Sequence, residues 1–268
     1  MANGVKQAIH LPTVGELADP RVLADLAAAA EEHGWDGVFL WDHLLRPESE
    51  PPEVADTWVA LAAVASATSM IRLGPMVTPL VRYGPQRLAR AAVTLDQLSA
   101  GRLTLGLGLG HDRWGELRRF GEPTAPRERA DLLDEGVELL VALWSGEELH
   151  HRGPHYVADG VRFLPVPVQR PRIPLWFAAR GDARRPVRRA ARYEGLFPVD
   201  VHPDQLARML DIVAAERDGL DGFDVAVSIP PGGDPEPYVD RGATWVLWGF
   251  HPHDRVKEVQ THVEAGPA

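Results

Sequence analysis

Short, continuously apolar segments alternate with longer segments of helical periodicity along this chain. Residues 23–30 place apolar side chains on one helix face, and Asp19-Pro20 and Gly34 supply the cap and the stop of that helix. The next segment, GVFLW at residues 37–41, is apolar throughout, which is typical of a strand buried on both faces. The pattern continues to the C-terminal end and predicts eight strands, nearly all of them followed by a helix.

The predicted strands are residues 5–10, 36–41, 71–78, 102–110, 173–179, 195–199, 224–229 and 243–250. The predicted helices after the first are residues 57–69, 85–100, 124–144, 182–193, 203–217, 235–241 and 252–264. Eight βα units are what a closed parallel barrel requires, so we expect an α/β protein, a (β/α)8 TIM barrel, as a single domain over residues 1–268. A doubly wound open sheet is the alternative. Residues 146–172 are rich in Pro and His and predict an excursion after strand 4, a loop or small hairpin.

Composition narrows the class of protein. The length of 268 residues suits one barrel, and the absence of cysteine excludes disulfides, thiol catalysis and thiolate zinc sites. The net charge of −10 argues against nucleic-acid binding, and no apolar run reaches the length of a membrane span. We therefore expect a cytoplasmic protein with neither partner. Of the 28 basic residues only Lys6 and Lys257 are lysine, so an arginine cluster is weak evidence of function here.

The carboxyl ends of the predicted strands hold the candidate chemistry, because barrels of this kind have their active sites there. Asp42 and His43 follow the second strand, and a histidine at that place can exchange protons near neutral pH. Neighbouring strand residues point to opposite faces, so we do not expect a direct hydrogen bond between them. His111, after the fourth strand, is the second catalytic candidate. The remaining candidates at strand ends are Thr78, Gly108, Gly110, Ala179, Arg180 and Gly181.

Gly106, Gly108 and Gly110 end the fourth predicted strand. They do not form a dinucleotide-binding fingerprint, because its third glycine would fall on His111 or Arg113. Such glycines permit the close approach either of a neighbouring strand or of a flat ligand, and the sequence leaves both interpretations open. We expect a valine at Gly110 to obstruct a ligand and to leave the fold intact.

Histidines cluster at positions 150, 151 and 155 and again at 251 and 253. Neither cluster has the spacing of a zinc motif or a carboxylate at ligand distance along the chain. Solvated loop histidines are the favoured interpretation over metal ligands, and we expect no metal.

The segment RGDARRPVRRAAR at 180–192 is the densest charge run in the chain. Arg180 and Arg184 flank Gly181 at a predicted helix start, where backbone N–H groups favour a bound phosphate. The later arginines share one helix face, which we expect to be solvated and to point outward. These are Arg185, Arg188, Arg189 and Arg192.

Six segments together resemble the luciferase-like monooxygenase family, the flavin- and deazaflavin-dependent oxidoreductases that are built on a (β/α)8 barrel. They are GWDGVFLWDH (34–43), IRLGPMVTP (71–79), LSAGRLTLGLGLG (98–110), FLPVPVQ (163–169), RPRIPLW (170–176) and RRAARYEGLFP (188–198). They occur in the family's order over roughly residues 5–200, and the C-terminal part is only loosely matched.

The resemblance implies where a cofactor lies. The isoalloxazine ring is expected across the barrel mouth, against Met76 to Thr78 and against Gly108 to His111. The phosphate is expected at the turn of Ala179, Arg180 and Gly181, where this chain lacks the family's glycine/serine run and carries Asp182. The family histidine after strand 2 matches His43.

The resemblance also implies a dimer interface at the second and third helices. We therefore expect a homodimer with Trp58, Leu61 and Ala65 buried in or beside that interface.

Three functional hypotheses follow. The first is an FMN-dependent oxidoreductase or monooxygenase that acts on a small organic substrate, with a separate flavin reductase as a candidate partner. The second is a hydride-transfer enzyme that uses the deazaflavin coenzyme F420, whose acidic tail would suit Arg180, Arg184 and Arg185. The third is a flavin-binding barrel without turnover, because a fold does not fix a function.

Overall fold

Parallel strands drawn from the whole length of the chain pair into one sheet. The computed structural model describes residues 4–46 and 51–267. The strands of this sheet are β1 Lys6–Leu11, β2 Gly37–Leu40, β3 Arg72–Pro75, β4 Thr78–Pro79, β5 Leu105–Gly108, β8 Leu175–Arg180, β9 Gly195–Val199, β10 Asp224–Ile229 and β11 Trp245–Gly249. Between β5 and β8 the chain forms a separate antiparallel pair, β6 Leu149–Arg152 and β7 Val157–Val161.

The sheet closes on itself at its third strand. Its order is β3-β2-β1-β11-β10-β9-β8-β5-β4, and every pairing is parallel. β3 and β4 are two parts of one strand, separated by Met76 and Val77, whose peptide bond is cis. Leu73 also bridges Leu103 in parallel, so both edges of the sheet meet here. The predicted (β/α)8 barrel with a hairpin excursion is confirmed, and the divided third strand accounts for the ninth segment.

Helices surround the barrel. They are α1 Pro20–Glu32, α2 Thr57–Ala67, α3 Leu80–Tyr83, α4 Pro85–Leu98, α5 Pro126–Leu143, α6 Arg184–Ala191, α7 Pro203–Arg217, α8 Glu236–Val239 and α9 Val256–Glu264. The cap predicted for α1 is present, because the Asp19 carboxylate accepts from the Arg21 backbone N–H at 2.9 Å. No helix in the described part of the chain is long and apolar enough to cross a membrane.

Large aromatic side chains fill the barrel interior. The rings of Phe39, Trp176 and Trp245 lie 5.4–5.9 Å apart and are fully or almost fully buried. Two glycines make room for them, because a Cβ on Gly37 would meet Phe39 and a Cβ on Gly195 would meet Trp176. This packing closes the interior below the mouth and leaves the carboxyl ends of the strands as the place for a site.

The arginine face of α6 is solvated at Arg185, Arg188 and Arg192, as expected, but not at Arg189. Arg189 is buried and donates from Nε to Asp134 on α5 at 2.5 Å. Arg185 donates to Asp131 and Asp134 of the same helix. The prediction of an outward face is wrong for Arg189, because its side chain is buried against α5, where Asp134 accepts from it.

Two of the three α2 residues expected at a dimer interface are buried within the chain itself. Leu61 and Ala65 belong to the core between α2 and the barrel, whereas Trp58 is only partly buried. Val59 is 63% exposed on the same helix. The homodimer stays a prediction, and an interface on α2 would have to use its exposed side rather than Leu61 and Ala65.

Candidate active site

His43 stands directly beyond the end of β2, at the mouth of the barrel. Its ring lies 5.9 Å from those of Trp41 and His111 and 4.8 Å from that of Trp114, measured between centroids. Its side chain is 18% exposed. The structure therefore brings the two predicted catalytic histidines together, with an indole beside both of them.

Glu116 holds the inner edge of the His43 ring. The Oε2 atom lies 3.1 Å from His43 Nδ1, and Oε1 accepts from the Leu44 backbone N–H at 2.6 Å. Burial on its own would raise the pKa of the Glu116 carboxyl, but the hydrogen bonds from His43 and Leu44 and the charges of His43 and Arg82 keep it below its usual value. An ionised carboxylate only accepts hydrogen bonds, so Nδ1 carries a proton and Nε2 of the neutral ring has a lone pair.

Asp42 turns away from His43, as the alternation along a strand predicts. Its Oδ2 accepts from the Thr78 hydroxyl at 2.5 Å, and its Oδ1 accepts from Arg82 Nη2 at 2.7 Å and from the Tyr83 hydroxyl at 3.2 Å. Burial raises the pKa of the Asp42 carboxyl, against the opposing effect of the Arg82 guanidinium. Asp42, Arg82 and Thr78 form a buried polar layer directly beneath the mouth.

Arg82 joins this layer to Glu116. Its Nη2 also donates to the Asp42 carbonyl at 2.6 Å, and its Nη1 lies 3.5 Å from Glu116 Oε1. One buried guanidinium therefore lies between two buried carboxylates. The sequence analysis singled out neither Arg82 nor Glu116.

His10, at the end of β1, spans the mouth from the other side. Its Nε2 lies 3.1 Å from the Met76 carbonyl and its Nδ1 lies 3.1 Å from Ser228 Oγ. Burial lowers the pKa of His10 to about 4. The neutral ring therefore donates Nε2–H to Met76 and accepts the Ser228 hydroxyl on Nδ1.

The predicted cofactor contacts after strands 3 and 4 lie beside one another. Met76 and Thr78 are both buried, and the Thr78 hydroxyl is engaged by Asp42. A Cβ on Gly108 would lie 2.8 Å from Val77 Cγ2, so this glycine permits the close approach of the neighbouring strand. Gly110 has φ +66°, and a Cβ there would lie 2.9 Å from Pro79. The expectation that valine fits the Gly110 backbone is therefore wrong.

His111 and Trp114 form the outer part of the mouth. The Trp114 ring contacts His111 edge to face at 4.8 Å, and the Arg46 guanidinium lies 4.2 Å from its centroid. Burial and the charge of His43 lower the pKa of His111. His111 is more exposed than His43, and its Nδ1 accepts from the Arg113 backbone N–H at 3.3 Å.

The turn after β8 is open to solvent. Ala179 is buried, Arg180 pairs with Asp200 at 2.9 Å, and Gly181 has φ +60° with no atom within 4 Å of a Cβ placed on it. Asp182 pairs with Arg208 at 3.2 Å, which turns part of its charge away from this turn. The turn thus offers open space and exposed arginine side chains, which suit an acidic group. The presence of Asp182 in the sequence is less unfavourable to such a group than expected, because Asp182 pairs with Arg208.

The sequence profile of the luciferase-like monooxygenases matches residues 3–232. The chain belongs to the luciferase-like monooxygenase family. An F420-dependent glucose-6-phosphate dehydrogenase of Nakamurella multipartita is 36% identical over 165 residues, which are 61% of this chain and 48% of that protein. The chain thus spans about half the length of this relative. An uncharacterized protein of Mycobacterium tuberculosis is 34% identical over 263 residues, covering 90% of this chain and 91% of that protein.

Solved structures of similar shape support the fold. An F420-dependent secondary alcohol dehydrogenase in complex with an F420-acetone adduct superposes with a TM-score of 0.82. It covers 97% of this chain and 96% of its own, at 18% identity. At that identity the likeness concerns the barrel alone.

The mouth is lined by aromatic rings and holds a buried indole N–H. Trp41, His43 and Trp114 surround the mouth, and the buried Trp41 Nε1–H has no hydrogen-bond partner among the described residues. Such a donor suits a ring that carries hydrogen-bond acceptors. Within the same described part of the chain, no group of three or more His, Asp or Glu side chains could hold a metal ion.

Proposed function

We propose that this protein is an oxidoreductase that transfers a hydride between a small organic substrate and the deazaflavin coenzyme F420. Sequence similarity to an F420-dependent dehydrogenase supports the cofactor. The pairing of His43 with Glu116 is the observation that supports hydride transfer. Removing a hydride from a carbon that bears a hydroxyl also requires a base that accepts the hydroxyl proton. The FMN-dependent monooxygenase of the sequence analysis rests on the family description and the shared barrel alone.

Several groups at the mouth would hold F420. Met76 to Thr78 and the strand end from Gly108 to His111 would lie against its ring, and Trp41 Nε1–H is a donor toward it. Arg180 and Arg184 would face its acidic tail, since an exposed pair such as Arg180 with Asp200 exchanges partners at little cost. When bound, F420 supplies a two-electron hydride acceptor without oxygen chemistry.

His43 is the group that moves the proton. Its Nε2 makes no hydrogen bond to the described residues, and its lone pair can accept the hydroxyl proton of an alcohol substrate. The ring then becomes cationic, and the Nδ1–H remains directed at the Glu116 carboxylate 3.1 Å away. That carboxylate stabilises the cation in a partly desolvated place.

Two indoles limit water around His43. Trp41 and Trp114 approach its ring from different parts of the chain, one after β2 and the other between β5 and α5. His111, which also contacts Trp114, lies closer to solvent and can pass the proton outward. Burial and the charge of His43 lower the pKa of His111, so this ring is neutral at rest and would hold a proton only weakly before releasing it to solvent.

The partners follow from the reaction. A small-molecule substrate supplies or receives the hydride, so no separate flavin reductase is required. We also propose that the chain forms a homodimer through the exposed side of α2, where Val59 lies open. Light scattering at micromolar protein that gives the mass of one chain would overturn the dimer.

Cofactor choice is tested by titrating the purified protein with F420 and with FMN, using the fluorescence of each. We expect F420 to bind at least ten-fold more tightly, a difference of about 1.4 kcal/mol. The loaded protein is then given a panel of alcohols and sugar phosphates while the F420 absorbance is followed. Preferential FMN binding with oxygen-dependent turnover would establish the monooxygenase instead, and binding of neither cofactor would favour a barrel without turnover.

A further inference from the structure

We propose that Glu116 is the positioning residue of His43, which fixes the imidazole in the tautomer that leaves Nε2 unprotonated at the mouth. The use of that nitrogen in catalysis rests on the proposed function. The tautomer is a property of this chain alone and can be measured without a cofactor. Glu116 touches neither the mouth surface nor a reacting atom, and it acts through the ring of His43.

The Glu116 carboxylate cannot turn freely. Its Oε1 accepts from the Leu44 N–H at 2.6 Å and lies 3.4 Å from the Leu45 nitrogen. Arg82 Nη1 lies 3.5 Å from the same oxygen. Backbone and guanidinium therefore hold Oε1 in place, and His43 is the partner of Oε2 among the residues that the structure describes. A carboxylate held at one oxygen directs the other with little loss of further freedom.

The charge of Glu116 decides which ring nitrogen is protonated. The opposite tautomer of His43 would put the Nδ1 lone pair 3.1 Å from a carboxylate oxygen, which is repulsive. Arg82 extends this control to Asp42, whose carbonyl and carboxylate both accept from Nη2. Asp42 and His43 are neighbours in sequence, yet they are joined in space through Arg82 and Glu116 rather than directly.

Glu116→Gln gives a sharp test because the replacement keeps the shape. The Leu44 N–H still requires an acceptor at Oε1, so the amide oxygen takes that place and the NH2 group takes the place of Oε2. A donor would then face Nδ1, and the ring must become an acceptor there. We expect the neutral His43 tautomer to invert, with the proton on Nε2.

The chain offers a matched control. Glu135 accepts from His151 Nε2 at 3.0 Å and from the His155 and Tyr156 backbone N–H groups at 3.0 and 2.9 Å. This is the same kind of contact, made between α5 and the hairpin rather than at the mouth. Glu135→Gln thus removes a comparable bond without touching His43.

The experiment reads the imidazole nitrogens of the cofactor-free full chain by two-bond 1H–15N correlation NMR. His43 signals are assigned by their loss in His43→Gln. We expect Nδ1–H in the wild type and in Glu135→Gln, and Nε2–H in Glu116→Gln. In the F420-loaded enzyme, kcat of Glu116→Gln should fall about 100-fold with KM changed less than three-fold, and Glu135→Gln should stay within three-fold of wild type.

Each result is decisive. A wild-type His43 that carries its proton on Nε2 overturns the proposal without any variant, even if Glu116→Gln does not fold. An unchanged tautomer in Glu116→Gln overturns it as well, whatever the turnover. An inverted tautomer with unchanged kcat leaves the positioning intact and overturns His43 as the proton acceptor, which separates this proposal from the proposed function.

Discussion

His10 donates its Nε2–H to the backbone carbonyl of Met76 across 3.1 Å. This bond ties the end of β1 to the short segment that separates β3 from β4. The Ser228 hydroxyl donates to the other ring nitrogen while the ring is neutral, and it would have to turn and accept if that nitrogen became protonated. A protonated His10 would lose its acceptor role toward Ser228 while its charge remained buried.

Acid should therefore destabilise the fold through His10. Its pKa falls from 6.5 to about 4 on folding, so the unfolded chain binds more protons between these values. Above about pH 6.5 the titration of His10 does not affect the free energy of unfolding. As the pH falls from there toward 4, the free energy of unfolding decreases by roughly 3 kcal/mol. Urea unfolding across this range should show His10→Gln losing less stability with acid than wild type.

His150→Gln is the control for that measurement. Hydrogen bonds to Asp159 and Glu148 raise the pKa of this exposed histidine, so its contribution has the opposite sign and fades as the pH rises. If wild type and His10→Gln lose stability in parallel between pH 6.5 and 4.5, the buried neutral ring is not the cause.

His43→Gln should abolish proton transfer and spare binding. Glutamine keeps polarity and approximate size but cannot titrate, so kcat should drop at least about 100-fold while the Kd of F420 stays within three-fold. Fluorescence titration and steady-state kinetics measure the two quantities. Near wild-type turnover would redirect attention to His111, whose ring lies 5.9 Å away.

Arg189→Met should destabilise the protein far more than Arg188→Met. Arg189 pairs with Asp134, and its side chain is 4% exposed. Arg188 pairs with Glu216, and these two side chains are 59% and 43% exposed. Loss of the buried donor leaves Asp134 with Arg185 alone and should cost about 2 kcal/mol. The exposed pair should be worth less than about 0.5 kcal/mol in urea unfolding. Equal losses would show that burial does not distinguish the two pairs.

The order of strands and helices could be predicted because hydrophobic periodicity is a local property. GVFLW at 37–41 predicts a buried strand, and β2 occupies Gly37–Leu40. The α6 arginines show the limit of that approach. A helical wheel shows which side chains share a face but not what each of them contacts, and Arg189 alone of this face is buried, against Asp134 of α5.

Only those site residues that follow a strand could be predicted from the sequence. His43 follows a recognisable strand, so the barrel rule selects it. Glu116 lies in an irregular segment 73 positions away, and nothing in its local pattern marks it as the partner of His43. Arg82 was one of 26 arginines, and only burial between two carboxylates distinguishes it from the others. The cluster of His111, Trp114 and Glu116 just after β5 could have marked this segment as part of the site, but not the contact of Glu116 with His43.

Gly110 and Gly181 have nearly the same backbone conformation, so substitutions at the two positions can distinguish the cost of backbone strain from the cost of a steric contact. Gly110 and Gly181 have φ +66° and +60°, but a Cβ meets Pro79 at 2.9 Å in the first and nothing within 4 Å in the second. Gly181→Ala should cost about 1 kcal/mol, the strain of a left-handed residue. Gly110→Ala should cost about 2 kcal/mol or more in urea unfolding, because Pro79 must also shift. The difference between the variants isolates the contact, and equal costs would show that Pro79 yields freely. A ligand clash at Gly110 can be inferred from weakened F420 binding only after this loss of stability has been measured.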